Sequence, residues 1–114
     1  MRAFVAAMMI LAGAAAAGAA PETIAGELVD VRCALQNADN VGDDHVDCAL
    51  SCAKRGARLG ILTADGVYTI AGEYTRDNNK RLLPFVGRTV QASGHVTEKD
   101  DARVITVTSI QEAK

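Results

Sequence analysis

The fold is decided by one stretch of sequence, Leu59-Gly60-Ile61-Leu62-Thr63-Ala64-Asp65-Gly66-Val67-Tyr68-Thr69-Ile70-Ala71. Two runs rich in β-branched and aromatic residues, 59–63 and 67–71, flank the Asp65-Gly66 pair. Hairpins favour an Asp-Gly turn because both of its central residues can adopt positive φ. The stretch therefore predicts a β-hairpin, and the rest of the chain can be interpreted outward from it.

Three more strands are predicted around this hairpin. Upstream, 24–31 is rich in branched residues and partly alternates apolar with polar residues, which is typical of a half-buried strand. Downstream, 89–97 and 104–110 alternate in the same way around a polar turn at 98–101. Gly94, inside the fourth strand, marks a bend where a sheet can turn a corner.

One short α-helix is predicted at 44–55, between the first and second strands. Asp43 or Asp44 can cap its start, basic residues occupy its last turn, and Gly56 is a good left-handed stop residue. Five short strands with one helix are few for two packed sheets but can curl into a small barrel. The sequence thus predicts a mainly β fold, namely a five-stranded OB-like barrel.

The first residues have the composition of a secretory signal peptide. Met1-Arg2 is a short positive region, 3–12 is apolar, and Ala17-Gly18-Ala19 is a small-residue cleavage site. A membrane anchor would need about 20 apolar residues, whereas this run soon gives way to Ala and Gly. The sequence predicts a signal peptide at 1–19 and one mature domain at 20–114. That domain is expected to be periplasmic or secreted, with no membrane insertion after cleavage.

Size and charge exclude several classes of function. The chain has 114 residues, which is enough for one domain and too few for a multidomain enzyme. Its formal net charge of -2 provides no basic footprint, so nucleic acid is not an expected partner. No nucleophile-and-base arrangement, phosphate-cradling glycine loop or paired-carboxylate motif stands out from the sequence. We therefore expect a binding protein and not an enzyme.

Candidate chemistry is concentrated in the three cysteines and the one histidine that lies among them. On the predicted helix, His45, Cys48 and Cys52 project from one stripe, while Cys33 lies at the end of the first strand. Three thiolates and one imidazole suit tetrahedral Zn(II) or, with fewer ligands, Cu(I). His45 and Cys52 would be about 10 Å apart along the helix axis. A helical pair completed by Cys33 is therefore an easier metal site than all four ligands on one ion.

A structural disulfide competes with the metal for the same sulfur atoms. In an oxidising compartment, Cys33 can cross-link the first strand to the helix, through Cys48 or through Cys52. Either link would stabilise so small a core by about 3 kcal/mol. A Cys48–Cys52 bond is disfavoured because the two Cβ vectors run nearly parallel on a helix. Thiol redox catalysis is a third interpretation, and the C-x3-C spacing away from a helix N-terminus counts against it.

Short motifs are spread over nearly all of the predicted mature chain. They are Gly26-x-Leu28-Val29-Asp30-x-x-Cys33, His45-x2-Cys48-x3-Cys52, Lys54-x-Gly56-Ala57-x4-Leu62, Asp65-Gly66-x-Tyr68-x-Ile70 and Gly87-x-x-Val90-x3-Gly94. This pattern resembles a family of small secreted bacterial proteins of uncharacterised function. The resemblance implies shared cysteines, a shared hairpin and an OB-like ending, and it supplies no established activity. The predicted helix lies between strands one and two, whereas the standard OB-fold has its helix between strands three and four.

Two functional hypotheses follow from these observations. In the first, the protein is an exported small binding protein that holds Cu or Zn through Cys33, His45, Cys48 and Cys52. In the second, it is a disulfide-stapled periplasmic interaction module without a metal. The barrel face or the loops of that module would bind an unidentified protein, peptide or glycan.

Overall fold

Residues 21–36 and 45–113 are described in a computed structural model of the chain. The predicted signal peptide at 1–19 and the predicted capping residues Asp43 and Asp44 lie outside the described residues. Within the described part, no helix is both long enough and apolar enough to cross a membrane.

Five β-strands form the described fold, as the sequence predicts. They are β1 (Pro21–Asp30), β2 (Leu59–Thr63), β3 (Gly66–Ala71), β4 (Thr89–Lys99) and β5 (Ala102–Glu112). The hairpin strands β2 and β3 match their predicted bounds to within one residue. The other three are longer than predicted, because polar residues at their exposed ends continue the backbone ladder without contributing to an apolar pattern. Strand β1 nevertheless ends one residue before the predicted bound, since Val31 is the first residue of a helix.

The strands pair in a closed order, so that the sheet forms a barrel in which each strand has a neighbour on both sides. Strand β1 pairs antiparallel with β2 and with β4. Strand β2 also pairs antiparallel with β3, as does β4 with β5. The circle is completed by β3 and β5, which run parallel to each other. Closure satisfies backbone groups that an open sheet would leave at its edges.

The interior of the barrel holds the hydrophobic core. Along β4, the buried residues Val90, Ala92 and Gly94 alternate with more exposed ones, as expected for a strand with one face inside. The largest fully buried side chains come from several elements and are Leu28, Leu59, Ile61, Leu82, Val90 and Ile105.

Gly94 coincides with a break in the register between β4 and β5, where the sequence predicts a bend. The pairing shifts between Ser93 and Gly94, which is the signature of a β-bulge or a similar irregularity. A Cβ atom at Gly94 would collide with the backbone carbonyl of Thr106 on β5. The two backbones can approach this closely only because residue 94 is glycine.

The two hairpin turns differ in detail from their predictions. Between β2 and β3, the central residues are Ala64 and Asp65, and only the following residue, Gly66, has a positive φ, of 120°. The turn with positive φ at both central residues lies instead between β4 and β5, at Asp100 and Asp101. That turn is shorter than the predicted 98–101 segment, because the flanking residues still pair in the ladder.

The prediction of a single helix is wrong, because the described residues between β1 and β2 already contain two helices. Helix α1 (Val31–Gln36) follows β1 directly, and helix α2 (Val46–Lys54) occupies most of the predicted 44–55 segment. The N-cap of α2 is His45, whose side chain makes no capping hydrogen bond. After α2, Gly56 has a φ of 90°, as expected for a stop residue.

The connection between β3 and β4 also contains helical turns that the sequence did not predict. Short 3-10 turns at Glu73–Thr75 and Leu83–Phe85 flank the segment Arg76–Asn79. Three consecutive residues of that segment, the last being Asn79, have positive φ. Asn and Asp tolerate this conformation better than other side-chain-bearing residues. Short helical turns and these positive-φ residues therefore occupy the connection where the standard OB-fold has its helix.

Asn79 fastens this connection to the end of α2. Its side chain is buried, with 3% exposed. The amide Nδ2 donates hydrogen bonds to the carbonyl oxygens of Ala53, at 3.0 Å, and Ala57, at 2.8 Å. These two acceptors lie at and beyond the last turn of α2, where carbonyl groups lack helical partners. Asn79 thus holds in place the end of the helix that carries Cys52.

Candidate functional site

The end of the β1–β2 ladder brings α1 close to the last turn of α2. Asp30 pairs with Leu59 in this ladder, and the Val31 N–H donates to the carbonyl of Arg58 at 3.0 Å. The chain continues from β1 into α1, which carries Cys33, and it enters β2 from α2, which carries Cys52. Two cysteines far apart in sequence therefore approach the same end of the ladder.

Cys33 and Cys52 line one surface cavity of about 570 Å³ at this junction. The remaining lining residues, which come from both sides of the ladder, are Asp30, Val31, Arg32, Gln36, Ala57 and Arg58. Small-molecule sites typically have volumes of about 300–1,000 Å³. The two thiols thus line one cavity that is large enough for a small-molecule ligand.

Cys33 owes its position to the way α1 begins. Asp30 lies just before the helix, and its Oδ1 accepts the backbone N–H of Cys33 at 3.1 Å. This is an N-cap interaction, in which a carboxylate satisfies an otherwise orphaned donor of the first turn. The Asp30 side chain is 4% exposed, so the cap is fixed from within the protein. Cys33 itself is half-buried.

The surroundings of Cys33 favour its protonated form. Burial raises the pKa of the Cys33 thiol, and the Asp30 carboxylate raises it further because a nearby negative charge opposes formation of a thiolate. Ionised Cys48 and Cys52 act in the same direction, whereas Arg32 lowers the pKa. The combined effect is a Cys33 thiol that ionises less readily than an ordinary cysteine.

Cys52 and Cys48 occupy successive turns of α2 and differ in exposure. Cys52 is half-buried beside the cavity, whereas Cys48 is exposed. The guanidinium Nη2 of Arg55 lies 3.9 Å from Cys52 Sγ. The backbone around Cys52 is also well anchored, since its carbonyl accepts the N–H groups of Arg55 and Ala57 at 3.0 and 3.1 Å. Cys52 therefore lies on a well-anchored turn of backbone, with its thiol beside a positive charge.

The predicted disulfide is absent from the structure. All three cysteines lie in the described ranges, and none of them is joined to another by a disulfide. The prediction placed Cys33 at the end of a strand that faces the helix. Cys33 lies instead on a separate helix, α1, and shares a cavity with Cys52 without reaching bonding distance. Neither Cys33–Cys48 nor Cys33–Cys52 is formed.

The four predicted metal ligands are not gathered at one point. His45 precedes α2, whereas Cys52 lies in its last turns, a separation of about 10 Å along a helix axis. His45 does not line the cavity. Among the described residues, no group of three or more His, Cys, Asp or Glu side chains could hold a metal ion. The structure brings together Cys33 and Cys52, with Cys48 farther out on α2.

The sequence patterns do not reveal the charged residues around the cavity. Asp30 followed by good helix formers is an N-cap signal that could have revealed α1 and its cysteine. The sequence alone assigns neither Arg32 nor Arg58 to a site. Their convergence depends on the β1–β2 register, which the sequence alone does not specify in this detail.

No protein-family model matches this chain, and no curated protein matches it. The class of protein is therefore defined by the fold and the cavity. It is a small, mainly β protein with a five-stranded sheet and a two-thiol cavity at the end of one strand pair. The resemblance to small secreted bacterial proteins stays a prediction.

Proposed function

We propose that this protein is an exported binding module that holds a thiophilic metal ion at Cys33 and Cys52. The single observation that carries the proposal is that these two thiols line the same cavity. Thiolates are soft ligands that select Cu(I), Zn(II) and similar ions. The role is binding and not catalysis.

The proposed fold class is an OB-like barrel formed by the mature domain at 20–114. Support comes from the five strands, the closed pairing order and the parallel contact between β3 and β5. The helices lie between β1 and β2, and short helical turns replace the standard helix between β3 and β4. OB-like barrels commonly serve as binding scaffolds, which agrees with the proposed role.

Export is part of the proposal and rests on the composition of 1–19. Removal of this segment would leave a periplasmic or secreted chain that begins at Ala20. Intact-mass measurement of protein recovered from outside the cytoplasm tests this start directly. A chain that retains Met1 would contradict export by cleavage at this site.

Cu(I) fits the cavity better than Zn(II) does. A structural zinc site almost always has four ligands in a tetrahedron, and the described residues offer no such group. Cu(I) is stable with fewer thiolate ligands, so Cys33 and Cys52 can hold it as a pair. Cys48 is exposed and does not line the cavity, so Cys48 and His45 would both stay outside the site.

A competition titration with a chromogenic Cu(I) chelator, run without oxygen on reduced protein, tests the proposal. Wild-type protein should bind one ion per chain, and Cys33→Ser and Cys52→Ser should each weaken binding by about tenfold or more. Cys48→Ser serves as the matched control, with a smaller effect because Cys48 is exposed. Equal Cu(I) affinity in all four proteins would overturn the metal site.

The second hypothesis, an interaction module, concerns a different surface. Leu35 on α1 is 71% exposed, and it lines a groove of about 280 Å³ together with Val31 and Val67. An exposed large apolar side chain beside a groove is a feature of docking sites. Because the predicted disulfide is not formed, this groove is the remaining feature that supports the binding of a protein, peptide or glycan.

A further inference from the structure

The cavity that contains Cys33 and Cys52 has a positively charged border. Arg32 and Arg58 line it, and the Arg55 guanidinium lies 3.9 Å from Cys52 Sγ. Among the described lining residues, Asp30 is the only carboxylate, and its Oδ1 is engaged by the N–H of Cys33. Among the residues that the structure describes here, positive side chains therefore outnumber negative ones around the thiols.

The volume of the cavity exceeds what a metal ion alone requires. About 570 Å³ is enough for an organic molecule of several functional groups. Arginine guanidinium groups recognise carboxylates through paired N–H donors. The occupant that fits these features is a small organic anion, and the adjacent thiols make sulfur chemistry available to it.

We propose that this cavity binds an anionic low-molecular-weight disulfide, carrying carboxylates of the kind found in oxidised glutathione, and that Cys52 exchanges with it. Arg55 and Arg58 attract the carboxylates and direct the disulfide toward Cys52 Sγ. The product is a mixed disulfide on Cys52, which makes the cavity a site of reversible thiol modification.

The exchange balances without any other reactant. The Cys52 thiol loses its proton, and its sulfur attacks one sulfur of the small disulfide, forming a new S–S bond as the original one breaks. The second half of the small molecule leaves as a thiolate and takes up the proton as a thiol. Cys52 is oxidised and the leaving half is reduced, so the small disulfide is itself the oxidant.

This inference does not depend on metal binding, because the exchange is measured on metal-free protein. The two activities would nevertheless exclude each other, since a Cys52 sulfur in a mixed disulfide is not a thiolate ligand. Failure of the exchange would leave the metal proposal intact, and failure of metal binding would leave the exchange intact.

The test compares two variants that each retain one cysteine. Cys33→Ser with Cys48→Ser leaves Cys52, and Cys33→Ser with Cys52→Ser leaves the exposed Cys48 as the matched control. Each is reacted with oxidised glutathione, which is anionic, and with cystamine, which is cationic, and adducts are followed by intact mass. For each cysteine, the reaction rate with oxidised glutathione is divided by the rate with cystamine. In this ratio, the different intrinsic reactivities of Cys48 and Cys52 cancel.

The anionic probe should be preferred at Cys52 by about tenfold more than at Cys48, since electrostatic attraction changes rates by such factors. Adding salt or making Arg58→Gln should reduce this preference, whereas Arg76→Gln, a change at an exposed residue outside the cavity, should not. If a double variant fails to fold, early adducts are located in the wild-type chain by peptide mapping. Equal preference at the two cysteines, or no effect of Arg58→Gln, would overturn the proposal.

Discussion

The Oδ1 atom of Asp30 accepts the backbone N–H of Cys33 at 3.1 Å, and this one contact joins the fold to the candidate site. Asp30 is the last residue of β1 and pairs with Leu59 across the ladder. Its carboxylate also starts the helix that carries Cys33. The position of one cavity thiol is therefore set by the end of a core strand.

Replacing Asp30 should destabilise the protein through loss of this cap. Asp30→Ala should lower the free energy of unfolding by about 1 kcal/mol, and by no more than about 2 kcal/mol. Asp30→Asn retains an oxygen acceptor and should lose less. Urea unfolding midpoints of the three proteins check this prediction. Equal midpoints for Asp30→Ala and Asp30→Asn would show that the side-chain acceptor is not what matters.

The same carboxylate should control the ionisation of Cys33. Burial and the Asp30 charge both raise the pKa of this thiol, so its thiolate should form only at higher pH than in an ordinary cysteine. In a background with Cys48→Ser and Cys52→Ser, the rate of alkylation of Cys33 against pH reports its pKa. Asp30→Asn removes the negative charge and should shift the midpoint of this profile to lower pH. A shift to higher pH, or none, would contradict the assigned cause.

Asn79 should be a strong contributor to stability. Asn79→Ala removes one buried and one partly buried hydrogen bond and leaves the carbonyls of Ala53 and Ala57 without these donors, which costs about 1–3 kcal/mol. Asn78→Ala is the matched control, because Asn78 also has positive φ but is exposed. Thermal unfolding should show the larger loss for Asn79→Ala. Similar losses for both variants would assign the effect to backbone conformation instead of hydrogen bonding.

The close approach of β4 and β5 at Gly94 gives a prediction about packing. Gly94→Ala places a methyl group against the Thr106 carbonyl, and the resulting strain should cost about 1–3 kcal/mol. Ser93→Ala, one residue earlier on the same strand, should change stability much less. Denaturant unfolding of both variants provides the comparison. A Gly94→Ala protein as stable as the wild type would mean that the bulge can relax.

Local patterns explain why much of the fold could be predicted. The runs around Asp65-Gly66 contain both their strand propensity and their turn, so β2 and β3 were located to within one residue. The alternation of β4 and β5 likewise reflects one buried face. Helix α1 was missed because it is short, and its start depends on a side-chain cap that was not recognised at Asp30.

The site was less predictable than the fold, because its geometry is non-local. His45 is the N-cap of α2, and Cys48 and Cys52 lie on successive turns of it, so the helix separates the three residues along its axis. Which of them would meet Cys33 depended on how the β1–β2 register places the two helices. The arginines around the cavity converge for the same reason, and no spacing in the sequence signals that.

X-ray absorption at the copper edge, on reduced protein loaded with one Cu(I) per chain, tests directly whether Cys33 and Cys52 hold the ion. If Cys33 and Cys52 hold the ion, the nearest shell should consist of sulfur atoms, with no imidazole scattering from His45. The Cys33→Ser and Cys52→Ser double variant should lose this shell. An imidazole or oxygen shell in the wild type, or an unchanged sulfur shell in the double variant, would contradict the proposed site.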